Sequence, residues 1–327
     1  MPLDSLGDPT VPDPAVRRPF GRTGLAVTPI CVGTSPLANM PGLYGYEVGE
    51  QRARATVEAV FDGPFNFLDT SNNYGNGSAE RRIGAVVRDR GGVPAGFVLA
   101  TKVDADPDTG DFSGERVRRS AEESLERLGV GNVPLLYLHD PEYHITFEEA
   151  MGPGGAVEAL VALRDAGVAD HIGIAGGPIG LMRDFVATGA FDAVISHNRW
   201  TLVNREADPL LDEACERGVA FVNGAPYGGG MLVKGPDAQP RYCYRETGEA
   251  VRESVRAMQR ACDEHGVPLA AAALQFSLRD PRVASTIVGL SEPERMEETL
   301  RLATTPIPPG LWDELDRHLP SPPAWLD

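Results

Sequence analysis

The 327-residue chain is poor in cysteine: four residues, Cys31, Cys215, Cys243 and Cys262, with no C-x-x-C pair and no histidine at ligand spacing beside them. A disulfide-stapled scaffold and a zinc-ribbon site are excluded on that pattern, and the four read as reduced thiols of a cytoplasmic protein. Positive charge is also scarce. Lys and Arg total 30 against 47 Asp and Glu, a net charge of -17 that repels nucleic acid and anionic membrane surfaces. A phosphate-bearing small molecule stays compatible, because a few backbone N–H groups and one Arg can hold it locally. No apolar run nears the roughly 20 residues that cross a bilayer, and no basic-plus-apolar leader precedes Pro12, so a soluble protein without a membrane partner is expected.

What the chain has is rhythm. Residues 1–17, with Pro2, Pro9, Pro12 and Pro14, are expected to form a flexible tail, and residues 18–327 one folded domain. Short apolar runs at 30–33, 65–69, 97–102, 135–139, 172–175, 193–197, 220–223 and 286–289 predict eight strands. Amphipathic stretches at 52–61, 80–88, 114–128, 156–166, 181–188, 209–217, 250–265 and 292–302 predict the helices between them. This α/β alternation predicts a (β/α)₈ TIM barrel, with an open sheet as the alternative. An N-terminal hairpin around 21–27 would plug its lower mouth, and the Ala-rich stretch 269–278 predicts an extra helix in the C-terminal part.

Four proton-handling residues fall at or just past predicted strands. Asp69 ends Phe67-Leu68-Asp69, Tyr74 follows in the loop Thr70-Ser71-Asn72-Asn73-Tyr74-Gly75, Lys102 ends the third run and His139 the fourth. In a barrel all strand C-termini open on one face, so the four would converge. Tyrosine ordinarily titrates near 10, and an ammonium beside it would improve it as an acid/base. Lys102 is the candidate ammonium, Asp69 its partner, and His139 a donor that orients a substrate oxygen. Singly, each has a plain reading as a turn cap, a loop residue, an exposed strand end and a core imidazole; the joint arrangement points to a site.

Asp69, Tyr74-Gly75, Glu80, Gly84, Lys102 and His139 together resemble the aldo-keto reductase family, and the likeness runs from Gly21-Arg22-Thr23-Gly24-Leu25 to about Leu302. The resemblance implies a metal-free enzyme using NADP or NAD, with Tyr74 as general acid/base, Lys102 tuning it, Asp69 supporting Lys102 and His139 positioning the carbonyl or hydroxyl. It places Gly33, Thr34, His197, Ala225, Tyr227, Gly228, Gly229, Gly289, Leu290, Ser291, Arg295, Glu298 and Thr299 at the cofactor. Ser291 with Glu294 equally reads as a capping box.

Several positions depart from the family's common pattern. Gly289-Leu290 stands where NADPH-preferring members often carry Lys-Ser, Gly176-Gly177 offers no side-chain donors where Ser-Asn is common, and His197 replaces a Gln. These, with His139-Asp140-Pro141-Glu142 and Asn198-Arg199-Trp200, are similar to the branch of L-fucose and D-threo-aldose 1-dehydrogenases, with pyridoxal 4-dehydrogenase nearby. That branch implies oxidation of a sugar C1 hydroxyl to a lactone, with His144, Asn198, Arg199 and Trp200 as substrate contacts. Trp200 equally reads as a packed strand-end residue. Two other readings stay open: an NADPH-dependent aldehyde or ketone reductase, and a cofactor-sensing regulatory subunit like potassium-channel β subunits.

Overall fold

The computed structural model describes residues 13–325, so positions 1–12 of the expected tail lie outside the described residues. Eight parallel strands close into a barrel: β1 (Ile30–Gly33), β2 (Phe67–Asp69), β3 (Val98–Val103), β4 (Val133–His139), β5 (Ala169–Gly176), β6 (Ala193–His197), β7 (Ala220–Gly224) and β8 (Val283–Gly289). Each strand pairs with its neighbour in sequence, and β8 closes the ring on β1 with Gly289 opposite Gly33. The longer helices are α1 (Glu50–Asp62), α2 (Ser78–Arg90), α3 (Gly114–Leu128), α4 (Ala156–Asp165), α5 (Ile179–Ala187), α6 (Asp208–Glu216), α7 (Glu249–Glu264), α8 (Leu269–Leu278), α9 (Glu294–Thr304) and α10 (Pro309–Arg317). Helix α8 is the expected extra one before the last strand, and every residue in it is buried.

Alternation along each strand divides the core in two. Outward-facing side chains pack under the helices, while Cys31, Phe67, Ala100, Leu135, Tyr137, Ala193, Ile195 and Val222 fill the barrel interior. Arg18–Pro19 pairs antiparallel with Ala26–Val27, and this hairpin carries Phe20 into the interior, where its ring meets Phe67 edge-on at 5.6 Å. Buried Asn66 ties the hairpin to the barrel floor by accepting from the Thr28 N–H and donating to the Ala26 and Gly96 carbonyls.

Two glycines are required by close approach. A Cβ on Gly173 would lie 2.3 Å from the Tyr137 ring, so only glycine lets that phenol lie inside the barrel. A Cβ on Gly84 would lie 1.9 Å from the Arg127 carbonyl, so Gly84 lets α2 and α3 approach. Glu80, one turn earlier, is fully buried, accepts from the Thr101 hydroxyl at 2.6 Å and pairs with Arg127 at 3.2 Å. Glu80 and Gly84 thus hold the helices behind the active face.

Candidate active site

The strand ends bring Asp69, Lys102 and His139 to one mouth, and the loop after β2 swings Tyr74 over them. Lys102 Nζ donates to Asp69 Oδ1 at 2.5 Å, to the Thr70 carbonyl at 2.7 Å and to the Tyr74 hydroxyl at 3.2 Å. An ammonium has three protons, and all three are engaged. The Tyr74 and His139 rings meet edge-on at 5.8 Å.

Burial sets the charge states. It pushes the Tyr74 phenol well above its usual range, and Asp69, Tyr44, Asp140 and Asp104 push the same way. From sequence, the Lys102 ammonium is expected to favour the phenolate; in the folded barrel, burial and nearby carboxylates push the other way, with the ammonium 3.2 Å from the phenol oxygen. Burial also raises Asp69, offset in part by Lys102.

A fifth group was not foreseen. Asp104 follows Lys102 by two residues, and its carboxylate lies 2.6 Å from His139 Nδ1 while its other oxygen accepts from the Ser71 hydroxyl at 2.5 Å. Strand alternation, which puts residues two apart on one face, is the pattern that could have found it. For His139, burial lowers the pKa, but Asp140 and Asp104 outweigh it and the net direction is up. His197 rises to about 9, with burial opposing and the Asp140 carboxylate prevailing. Asp140, Glu142 and His197 each bring one donor atom within 4.8 Å of the others.

The backbone at this face is unusual. The residues just past β4, β6 and β7, namely Asp140, Asn198 and Ala225, all have positive φ (46°, 61° and 53°). Such left-handed positions in non-glycine residues gather at functional sites.

The cofactor candidates divide into three groups. Thr34 donates its hydroxyl and its N–H to the Asp69 carbonyl, and the Leu290 N–H reaches the Gly33 carbonyl at 3.3 Å, so Gly33, Thr34, Gly289 and Leu290 share the β1/β8 rim. His197 lies beside the β7 end, paired with Gly224 and one residue from Ala225 in that strand's wake. The third group surrounds the start of α9: the buried Tyr227 hydroxyl is without a partner, its pKa raised by burial and then by Glu298, while Arg295 pairs with Glu292 and Glu298 at 3.7 and 3.5 Å. Ser291 makes no capping bond, since Pro293 occupies the N-cap, so the α9 amide groups are not capped by a side chain. Thr299 donates its hydroxyl to the Arg295 carbonyl within that helix. Gly228 and Gly229, both at positive φ, pack against the Tyr242 ring and the Tyr244 backbone. An orphaned buried phenol, the Arg295 guanidinium and glycine-lined backbone fit a dinucleotide.

Among the substrate candidates, Asn198 is buried, with Oδ1 unpartnered and Nδ2 3.2 Å from His197 Nδ1. Arg199 stands over Gly177, where a Cβ would lie 2.7 Å from its Nη1. Glu142 accepts from the Gly177 N–H at 2.6 Å, so a carboxylate and a guanidinium occupy the space that side chains after β5 would otherwise take. His144 is exposed, its ring edge-on to Phe112 at 6.0 Å. Trp200 is 5% exposed and packs on Phe276 at 5.2 Å in the helix layer, in keeping with its reading as a packed strand-end residue. An aromatic rim also escaped the sequence: Tyr44 lies 5.7 Å from Tyr46 and 6.4 Å from Tyr244, which belongs to the small hairpin Arg241–Tyr242 and Arg245–Glu246.

A closed (β/α)₈ barrel with a buried Lys–Asp pair under a phenol defines an oxidoreductase class, and comparison with known proteins agrees. Residues 29–320 match the Aldo/keto reductase family, and the chain belongs to it. It is 30% identical to pyridoxal 4-dehydrogenase of Microbacterium luteolum, covering 91% of this chain and 96% of that protein. It is 31% identical to D-threo-aldose 1-dehydrogenase of a Pseudomonas species (91% and 97% covered) and 30% identical to L-galactose dehydrogenase of Arabidopsis thaliana (88% of each). An aldo-keto reductase of Bacillus halodurans, solved in its holo form, superposes with a TM-score of 0.74 over 94% of this chain and 97% of that one, at 20% identity. The protein is an NAD(P)-dependent oxidoreductase. Among the described residues no helix is long and apolar enough to cross a membrane.

Proposed function

We propose that this enzyme oxidises the C1 hydroxyl of an aldose, or the equivalent hydroxyl of another cyclic hemiacetal, to a lactone. The observation that carries this reading is the Lys102 ammonium, held by Asp69 2.5 Å away and by the Thr70 carbonyl, with its third proton aimed at the Tyr74 hydroxyl. That arrangement lets a phenol release and recover a proton at one fixed atom. Tyr74 takes the hydroxyl proton of the substrate, Lys102 stabilises the phenolate that does so, and His139 donates to the same substrate oxygen. When bound, the nicotinamide supplies the acceptor for hydride from the substrate carbon. The β1/β8 rim, Tyr227 and Arg295 at the start of α9 would hold it. Asn198 and Arg199 offer an acceptor and donors to substrate hydroxyls or to the carboxamide.

The relatives support the substrate class. Pyridoxal and the aldoses share one feature, an aldehyde and a hydroxyl in the same molecule that close to a ring, so the atom oxidised is a hemiacetal carbon in each. The reverse reaction, reduction of an aldehyde or ketone, uses the same groups with Tyr74 as acid.

A panel of aldoses, pyridoxal and simple aldehydes, followed by nicotinamide absorbance with NAD and NADP in both directions, tests the reading. Oxidation of ring-forming aldehydes with a lactone product is expected; turnover confined to reduction of simple aldehydes with NADPH would overturn it.

A further inference from the structure

His139 lies between two carboxylates that the reaction chemistry does not itself require. Its Nδ1 is 2.6 Å from Asp104 Oδ1, and its Nε2 is 3.7 Å from Asp140 Oδ2. The first is a hydrogen bond; the second is too long for one. Asp104 is fixed in that pose. It is 6% exposed, its second oxygen accepts from the Ser71 hydroxyl and from the Asn73 N–H at 3.0 Å, and its own N–H and carbonyl are bound by Ser120 and Arg116. Asp140 is fixed by its left-handed backbone and by the bond from its N–H to the Ala175 carbonyl at 2.7 Å, and it faces His197 Nε2 at 3.8 Å on its other side.

We propose that Asp104 is a positioning residue that, together with Asp140, keeps His139 as a doubly protonated imidazolium, so that the substrate oxygen meets a cationic N–H donor. Nδ1–H is held by Asp104, which directs the ring. Asp140 adds charge from 3.7 Å, too far to accept the Nε2 proton, leaving that proton for the substrate oxygen. A neutral imidazole with its proton on Nδ1 would present a lone pair to that oxygen instead. A cationic donor favours the oxygen most when it carries negative charge, as it does while a hemiacetal hydroxyl is losing its proton. The inference rests on the proposed function in giving His139 the substrate oxygen.

The groups around His139 have been weighed together. Asp104 and Asp140 favour its charge; Lys102 and burial oppose it. Tyr74 presents its ring edge-on and Ser71 lies 3.1 Å from Nδ1, while His197 and Glu142 act through Asp140.

The test is a pH titration of the imidazole nitrogen signals in the full-length protein with ¹⁵N-labelled histidine, the His139 signals being assigned by their loss in a His139→Gln variant. In the unaltered protein His139 should keep both protons at pH 7.5, above the ordinary midpoint of about 6.5. In Asp104→Asn its midpoint should fall by at least about one pH unit, kcat/KM for oxidation at pH 7.5 should drop about tenfold, and coenzyme affinity should be unchanged. Asp104→Glu should restore part of both. A His139 that is neutral at pH 7 in the unaltered protein overturns the proposal without any variant. So does an Asp104→Asn titration that overlays the original, which is what a merely structural role predicts. If the midpoint moves but oxidation does not change, the carboxylate clamp stands and the assignment of His139 to the substrate oxygen fails.

Discussion

The Lys102 ammonium and the Asp69 carboxylate meet at 2.5 Å with 2% and 3% of their side chains exposed. Removing one partner of such a pair leaves an uncompensated buried charge and costs about 3–5 kcal/mol, whereas removing both costs less. Urea unfolding should therefore show Asp69→Asn and Lys102→Met each destabilising, and the double variant less destabilised than the sum. Strict additivity would mean the pair carries no coupling.

Tyr74→Phe removes the proton-transferring oxygen and leaves the Lys102–Asp69 pair in place. Turnover should fall by about 10²–10⁴-fold, while coenzyme binding, read by protein fluorescence quenching, should change little. A variant that kept its turnover would show that the phenol is not the acid/base.

Burial raises the Tyr74 pKa above the ordinary value near 10, so the phenolate that serves oxidation is scarce at neutral pH and increases as pH rises. Oxidation at saturating substrate should therefore speed up as pH rises above neutrality for as long as His139 keeps its second proton, and reduction should not. Lys102→Met removes the ammonium 3.2 Å from the phenol oxygen and should move the alkaline limb further up. A pH optimum near neutrality in the oxidative direction would contradict this assignment.

The barrel was legible because each strand carries a short run of apolar residues and each helix an apolar stripe at three- and four-residue spacing. Its strand edges were less so. Strand β2 begins at Phe67 rather than at 65, because Asn66 spends its side chain on the hairpin and floor. Asp69, Tyr74, Lys102 and His139 could be found from their places at strand ends. Asp104 was overlooked although it shares the inner face with Lys102, since a carboxylate beside a loop reads equally as a turn residue. Of the positive-φ turns at Asp140, Asn198 and Ala225, the first two fall on residue types that tolerate the left-handed region, while an alanine there gives no local sign of it. The environment of Trp200 depends on Phe276, 76 positions away, which no local pattern reveals.

Gly173 and Tyr137 make a prediction that depends on packing alone. Ala at 173 would place its Cβ 2.3 Å from the Tyr137 ring and 3.0 Å from the Ala193 carbonyl, inside a barrel with no slack. Overpacking of this kind costs about 1–3 kcal/mol. Gly173→Ala should lower the urea midpoint accordingly, and Tyr137→Leu, which removes the ring, should recover part of the loss in the double variant.

With the coenzyme placed as proposed, its choice should follow from the charges at α9. Arg295 is the base there, and Glu292 and Glu298 already pair with it, while Glu294 and Glu297 occupy the same first turn. A coenzyme bearing an additional 2′-phosphate must compete with those carboxylates for a single guanidinium, whereas a ribose with a free 2′-hydroxyl need only donate to Glu298. NAD should therefore bind more tightly than NADP, by about tenfold or 1.4 kcal/mol at physiological salt. Glu298→Gln should narrow the gap by freeing Arg295, and raising the salt should narrow it further as the acidic cluster is screened. Calorimetric titration of each coenzyme into the unaltered enzyme and the variant checks both points; tighter binding of NADP to the unaltered enzyme would show that Arg295 exchanges its carboxylate partners for the phosphate.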